Sequence, residues 1–94
     1  MARYTSTQQK VLSGMAVATA ATIADSAEPV TGALLDVRTI ARSAHVSEYR
    51  TIQALHGLAN RGDVETDAIH GMAGSLRLYK LNPALTAAAI RRFQ

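Results

Sequence analysis

Between residues 36 and 62 the chain reads DVRTIARSAHVSEYRTIQALHGLANRG. Tyr49, Gln53, His56 and Asn60 recur there at offsets of four, three and four, which places them on one stripe of a helix. All four side chains form hydrogen bonds, where an exposed helix face ordinarily carries Lys and Glu. A Gln amide offers a donor beside an acceptor and can grip an adenine edge in two bonds; Arg50, flanking the stripe, can do the same for guanine. Arg38 and Arg42 lie four apart on the preceding segment and share a helix face, and Arg77 lies further along. The plainer alternative is a solvated polar face for the stripe and an ordinary surface charge for each arginine taken singly.

Two helices joined by a tight turn are needed to present these groups. Asp36 is placed to cap a short helix over residues 37–44. Ala44-His45-Val46 is the turn, and Ser47 caps a second helix that runs to about Arg61. Gly62 sits where a left-handed helix cap belongs. The expected inward positions are Ile40, Ala41, Ala44 and Val46, then Thr51 or Ile52, Leu55, and Leu58 or Ala59; Ile52, Leu55 and Leu58/Ala59 form the inward face of the second helix.

Upstream, a helix over residues 7–26 follows from the capping box Ser6-x-x-Gln9 and an apolar set that includes Val11, Leu12, Met15 and Ala16. Gly14 either weakens this helix or marks a close helix crossing. Glu28-Pro29 should end it. Ala33-Leu34-Leu35 is a candidate short strand. Downstream, residues 64–69 and 76–81 read as a hairpin around a loop from His70 to Ser75. Asn82-Pro83 opens a last helix over residues 83–93.

Ile40-Ala41, Val46-Ser47, Leu55, Leu58, Gly62-x-Val64 and Leu78-Tyr79-Lys80-Leu81 follow in an order and spacing that resembles the winged-helix DNA-binding superfamily, including its small MarR-like and ArsR-like regulators. The resemblance covers about residues 31–82. It implies a single domain over residues 1–94, mainly α with a small β-hairpin: a winged helix-turn-helix with additional N- and C-terminal helices. The helix-turn-helix would span residues 36–62 and the wing residues 64–81. By the same resemblance the second helix reads DNA bases through Tyr49, Arg50, Gln53, His56 and Asn60, with Gly57 letting the groove wall approach. Arg38, Arg42, Ser47 and Arg77 would hold the DNA backbone. Glu48 departs from this pattern, because a carboxylate at the start of the reading helix repels phosphate. Asp67 near the wing tip does the same unless it turns away.

Composition sets outer limits. The chain has 94 residues, 48% of them hydrophobic, one Phe and no Trp, so a modest core rich in alanine is expected. The formal charge of +3 permits nucleic acid without demanding it. There are no cysteines, which removes disulfides, thiolate chemistry and Cys-ligated zinc. His45, His56 and His70 share no helical ligand spacing, so no metal site is expected. Neither a nucleophile elbow nor a Gly-rich phosphate loop is present, and an enzyme is not expected; nor is a cofactor. The uncharged run over residues 11–24 has the outline of a secretory signal, but its Ala, Thr, Ser and Gly content and the capping box before it favour an ordinary helix. At that length it does not span a bilayer, and a cytoplasmic setting without a membrane partner is expected.

The expected partner is double-stranded DNA, and the simplest function is a small dimeric transcription regulator. Centromere-binding and replication-control proteins of plasmids and phages use similar domains, and a winged helix serving protein contact is the further alternative. A homodimer is expected through the terminal helices, with Val11, Met15, Leu85, Ala89 and Phe93 as contacts, because the body of the domain leaves those apolar faces uncovered. The competing arrangement is a monomer whose last helix folds back on its own first helix.

Overall fold

The computed structural model describes residues 3–27, 32–71 and 74–92. Four helices and a two-stranded antiparallel hairpin follow in the order α1 (Ser6–Ala24), α2 (Val37–Ala44), α3 (Glu48–Asn60), β1 (Val64–Gly71), β2 (Gly74–Leu81) and α4 (Pro83–Arg92). Glu28 to Thr31, the expected end of the first helix and the turn after it, lie outside the described residues, as do Met72, Ala73 and Phe93.

α1 starts one residue earlier than expected. Thr5, not Ser6, is the cap, and Gln8, not Gln9, closes the capping box: the Gln8 N–H donates to Thr5 Oγ1 at 3.1 Å and the Thr5 N–H to Gln8 Oε1 at 2.9 Å. The chain enters this cap already anchored, since the Tyr4 hydroxyl donates to Asp63 Oδ2 at 2.8 Å and the Arg61 guanidinium lies 4.1 Å from the Tyr4 ring centre. Donation to that carboxylate raises the Tyr4 pKa. α1 ends at Ala24 with Asp25 as its C-cap, short of Ser26.

Gly14 marks a close crossing. A β-carbon there would lie 2.7 Å from the Ala44 backbone nitrogen, so α2 presses its last turn directly on α1. This brings α1 into the middle of the domain, where it packs against α2, α3 and α4. The expected dimer contacts are corrected accordingly. Val11 and Met15 have no exposed surface and Ala89 only 3%, so all three belong to the chain's own core. α4 folds back on α1 within one chain, with Leu85 packed against the core cluster.

α2 and α3 are capped as expected: Asp36 accepts from the Thr39 N–H at 3.3 Å and Ser47 from the Arg50 N–H at 3.3 Å. Their C-termini share one hydrogen-bond pattern. Val46 N–H reaches Ala41 O and His45 N–H reaches Arg42 O; Asp63 N–H reaches Leu58 O and Gly62 N–H reaches Ala59 O. Both ends therefore require a left-handed residue. It is Gly62 at φ +81° after α3 but His45 at φ +57° after α2, where a side chain makes the conformation costly.

The hairpin pairs Val64 with Leu81 and continues in register to Gly71 opposite Gly74. Its strands are longer, and its connection shorter, than the sequence suggests. The expected strand at residues 33–35 shrinks to one bridge, with Leu35 and Tyr79 exchanging both N–H···O bonds at 2.8 Å. Asp36 starts the α2 cap at the next residue, so the pairing cannot continue. α4 opens as expected, with Asn82 Oδ1 accepting from the Leu85 N–H at 2.8 Å. No helix among the described residues is long and apolar enough to cross a membrane.

Candidate nucleic-acid interface

The core side of α3 consists of Thr51, Ala54, Leu55 and Leu58. This corrects the expected inward face at Ile52: Thr51 is buried instead, and Ile52 is 38% exposed. By residue type alone an Ile outranks a Thr for burial. Here the helix phase is fixed by Leu55 and Leu58, both fully buried, and Thr51 falls on their side. The Thr51 hydroxyl is buried without a hydrogen-bond partner.

Opposite that core side lies the expected stripe. Tyr49, Gln53, His56 and Asn60 are all exposed, Tyr49 at 71%. Gln53 Nε2 donates to the Tyr49 hydroxyl at 3.1 Å, which holds the two side chains together along the helix. The remaining donors and acceptors of the stripe face outward and are available to a polar partner.

The two flanks of the stripe differ. On one, the Arg50 guanidinium donates to Thr7 Oγ1 of α1 at 3.3 Å. Gly57 lies on the same flank, and a β-carbon there would come within 2.5 Å of Gln8 Nε2. Gly57 thus accommodates the α1 capping glutamine, and its expected role of admitting a groove wall is corrected. The other flank carries Glu48, Ile52 and Ala59, of which Glu48 and Ile52 are exposed.

Among the expected backbone contacts, Arg42 and Arg77 are exposed. Arg38 is exposed too, and its Nε lies 3.7 Å from Glu48 Oε1. The Glu48 carboxylate, which departs from the expected pattern, is therefore offset by an arginine on α2. Such an exposed pair contributes little to stability but lowers the local positive potential. Ser47 is engaged as the α3 cap. In the hairpin register Asp67 pairs with Leu78 and Arg77 with Ala68, so Asp67 and Arg77 belong to opposite faces of the hairpin. Lys80 is paired with Glu65 at 3.4 Å.

The anchor formed by Tyr4, Arg61 and Asp63 is not foreshadowed by the sequence. Tyr4 and Asp63, 59 positions apart in the chain, meet there, and no local pattern signals such a contact. Among the described residues there is no group of three or more His, Asp or Glu side chains able to hold a metal ion. No protein-family model matches the chain, and no curated protein or solved structure is significantly similar to it.

Proposed function

We propose that this chain is a winged helix-turn-helix that binds double-stranded DNA sequence-specifically, most simply as a small transcription regulator. The observation that carries the reading is the outer stripe of α3: four hydrogen-bonding side chains, exposed together, on the second of two capped helices joined by a tight turn. The element order supports it, since a helix, a bridging residue, two helices and a hairpin succeed one another along the chain. Major-groove base edges present donors and acceptors at the spacing such side chains reach. Arg42 and Arg77 supply exposed cations on the elements before and after α3, where phosphate contacts would fix the register.

A homodimer on two-fold-related half-sites remains part of this proposal. Its contact surface shifts from Val11, Met15 and Ala89 to the groove between α1 and α4, a cavity of about 180 Å³ lined by Leu12, Ala16, Leu85 and Ala88 among others. Sedimentation equilibrium at micromolar concentration tests it, and a 10 kDa species throughout would remove it.

The DNA reading is tested by selecting bound sequences from a randomised duplex pool and then measuring variants on selected and random DNA. Gln53→Ala is expected to cost about 1–3 kcal/mol on the selected site and to relax preference at one position. Arg42→Ala and Arg77→Ala are expected to weaken both DNAs equally. Failure to enrich any sequence, with no binding at low salt, would leave the protein-contact reading, which the Arg38–Glu48 pair favours.

A further inference from the structure

We infer that Ile52, rather than Arg50, completes the base-reading set of α3, by seating against the 5-methyl group of a thymine in the major groove. This rests on the DNA-binding reading above and deepens it by naming a specificity contact.

The two flanks of the reading stripe carry the inference. On the Arg50 flank α1 stands alongside, with the exposed guanidinium held on Thr7 Oγ1 at 3.3 Å and the Gln8 side chain lying against Gly57. A DNA edge approaching α3 would meet α1 on that side. On the other flank Ile52 is exposed, one turn after Glu48, which is paired with Arg38 of α2. Ile52 lies three residues after Tyr49 and four before His56, so it adjoins the stripe on the helix surface. It is 38% exposed and does not belong to the core cluster.

Its chemistry narrows the partner. Ile52 is the one large aliphatic residue exposed on α3, and it cannot hydrogen-bond. Among the features base pairs display in the major groove, the thymine methyl is the apolar one and is matched by apolar side chains. Tyr49 and Gln53 beside it supply polar contacts to neighbouring base edges. Arg50, drawn toward α1, is left to reach phosphate along the groove margin instead of a guanine edge.

Deoxyuridine differs from thymidine only by that methyl, so it isolates the contact. Starting from a selected duplex, each thymine is replaced singly by deoxyuridine, and dissociation constants are measured for the unmodified protein, Ile52→Ala and Arg50→Ala. Melting curves check that each variant is folded, as expected for exposed positions. At one thymine per site, deoxyuridine should weaken the unmodified protein about fourfold, the equivalent of one methyl removed from water. Ile52→Ala should bind the thymine and deoxyuridine duplexes equally. Arg50→Ala should keep the fourfold difference and lose affinity equally on selected and random DNA. The inference is overturned if no thymine shows the effect, if Ile52→Ala retains it, or if Arg50→Ala relaxes preference at a guanine. Absence of duplex binding at any salt would instead overturn the DNA reading itself, with Tyr49 and Ile52 then left as a patch for a protein.

Discussion

Along α3, Thr51, Ala54, Leu55 and Leu58 face the core, whereas Tyr49, Gln53, His56 and Asn60 face away from it. The inner four are buried where α3 packs against α1, α2 and β1, and their volumes are fixed by that packing. The outer four make no core contact, and a polar, freely hydrated residue of any kind would serve the fold there. What occupies the outer positions is thus free to be set by a partner. One helix carries two sets of residues that should respond independently to substitution, and this separation is open to direct attack.

The largest effect is expected on the inner side. Leu55→Ala removes a fully buried side chain from the centre of the cluster and should destabilise the domain by about 2–5 kcal/mol. Tyr49→Ala and Gln53→Ala should stay within about 0.5 kcal/mol of the unsubstituted protein in the same urea titration. Comparable losses on both sides would break the separation.

Gly14→Ala extends the test to the helix that α3 packs on. On propensity alone the change should gain about 1 kcal/mol. With the new methyl 2.7 Å from the Ala44 backbone, a net loss of about 1–3 kcal/mol is expected. A stabilised variant would show that α1 and α2 can part at no cost.

Two smaller effects sharpen the picture. Thr51→Val replaces a buried hydroxyl that has no partner with a methyl of similar size, and unfolding should show a gain of about 1 kcal/mol. Asp36→Ala should cost about 1 kcal/mol through the lost α2 cap. The Asp36 carboxylate is held below its usual pKa, first by its side-chain hydrogen bond with Thr39 and further by the Thr39 backbone N–H. Its folded pKa is thus lower than its unfolded one. The stability it contributes is present above the unfolded value of about 3.8 and is lost as pH falls through the folded value. Stability measured from pH 6 downward should therefore fall less steeply below about pH 4 in the Asp36→Ala protein.

The legible parts of the fold were those with local causes. Asp36, Ser47, Asn82-Pro83 and Gly62 each act within a few residues, and each stands where the sequence places it. The outer stripe of α3 was legible for the same reason, since helical spacing alone sets it. What was missed depends on distant neighbours. Thr51 and Ile52 are adjacent, and only the fixed phase of the helix against Leu55 and Leu58 decides which one is buried. Both Thr5-x-x-Gln8 and Ser6-x-x-Gln9 satisfy a capping box; the first is used, and Tyr4 beside it is anchored on Asp63. Val11 and Met15 looked like surplus apolar surface because Gly14 signals a close helix crossing without saying which helix crosses there, and α2, α3 and α4 all pack on α1. His45 at a left-handed position is the exception, since its cause is local: the hydrogen-bond pattern of the α2 end demands the conformation, and the residue type gives little warning of it.

The claim that the outer side of α3 meets DNA is tested most directly by titrating salt against binding of the unsubstituted protein to duplex DNA of random sequence. Phosphate contacts release counterions, so the logarithm of affinity should fall linearly with the logarithm of salt concentration, with a slope of roughly −0.9 for each phosphate engaged. If Arg42 and Arg77 each engage one, the pair contributes about −2 per chain, and replacing either should reduce the slope by about one. A measurable affinity at about 50 mM salt that decays along such a line is the predicted result. Negligible binding at that salt concentration would contradict the account.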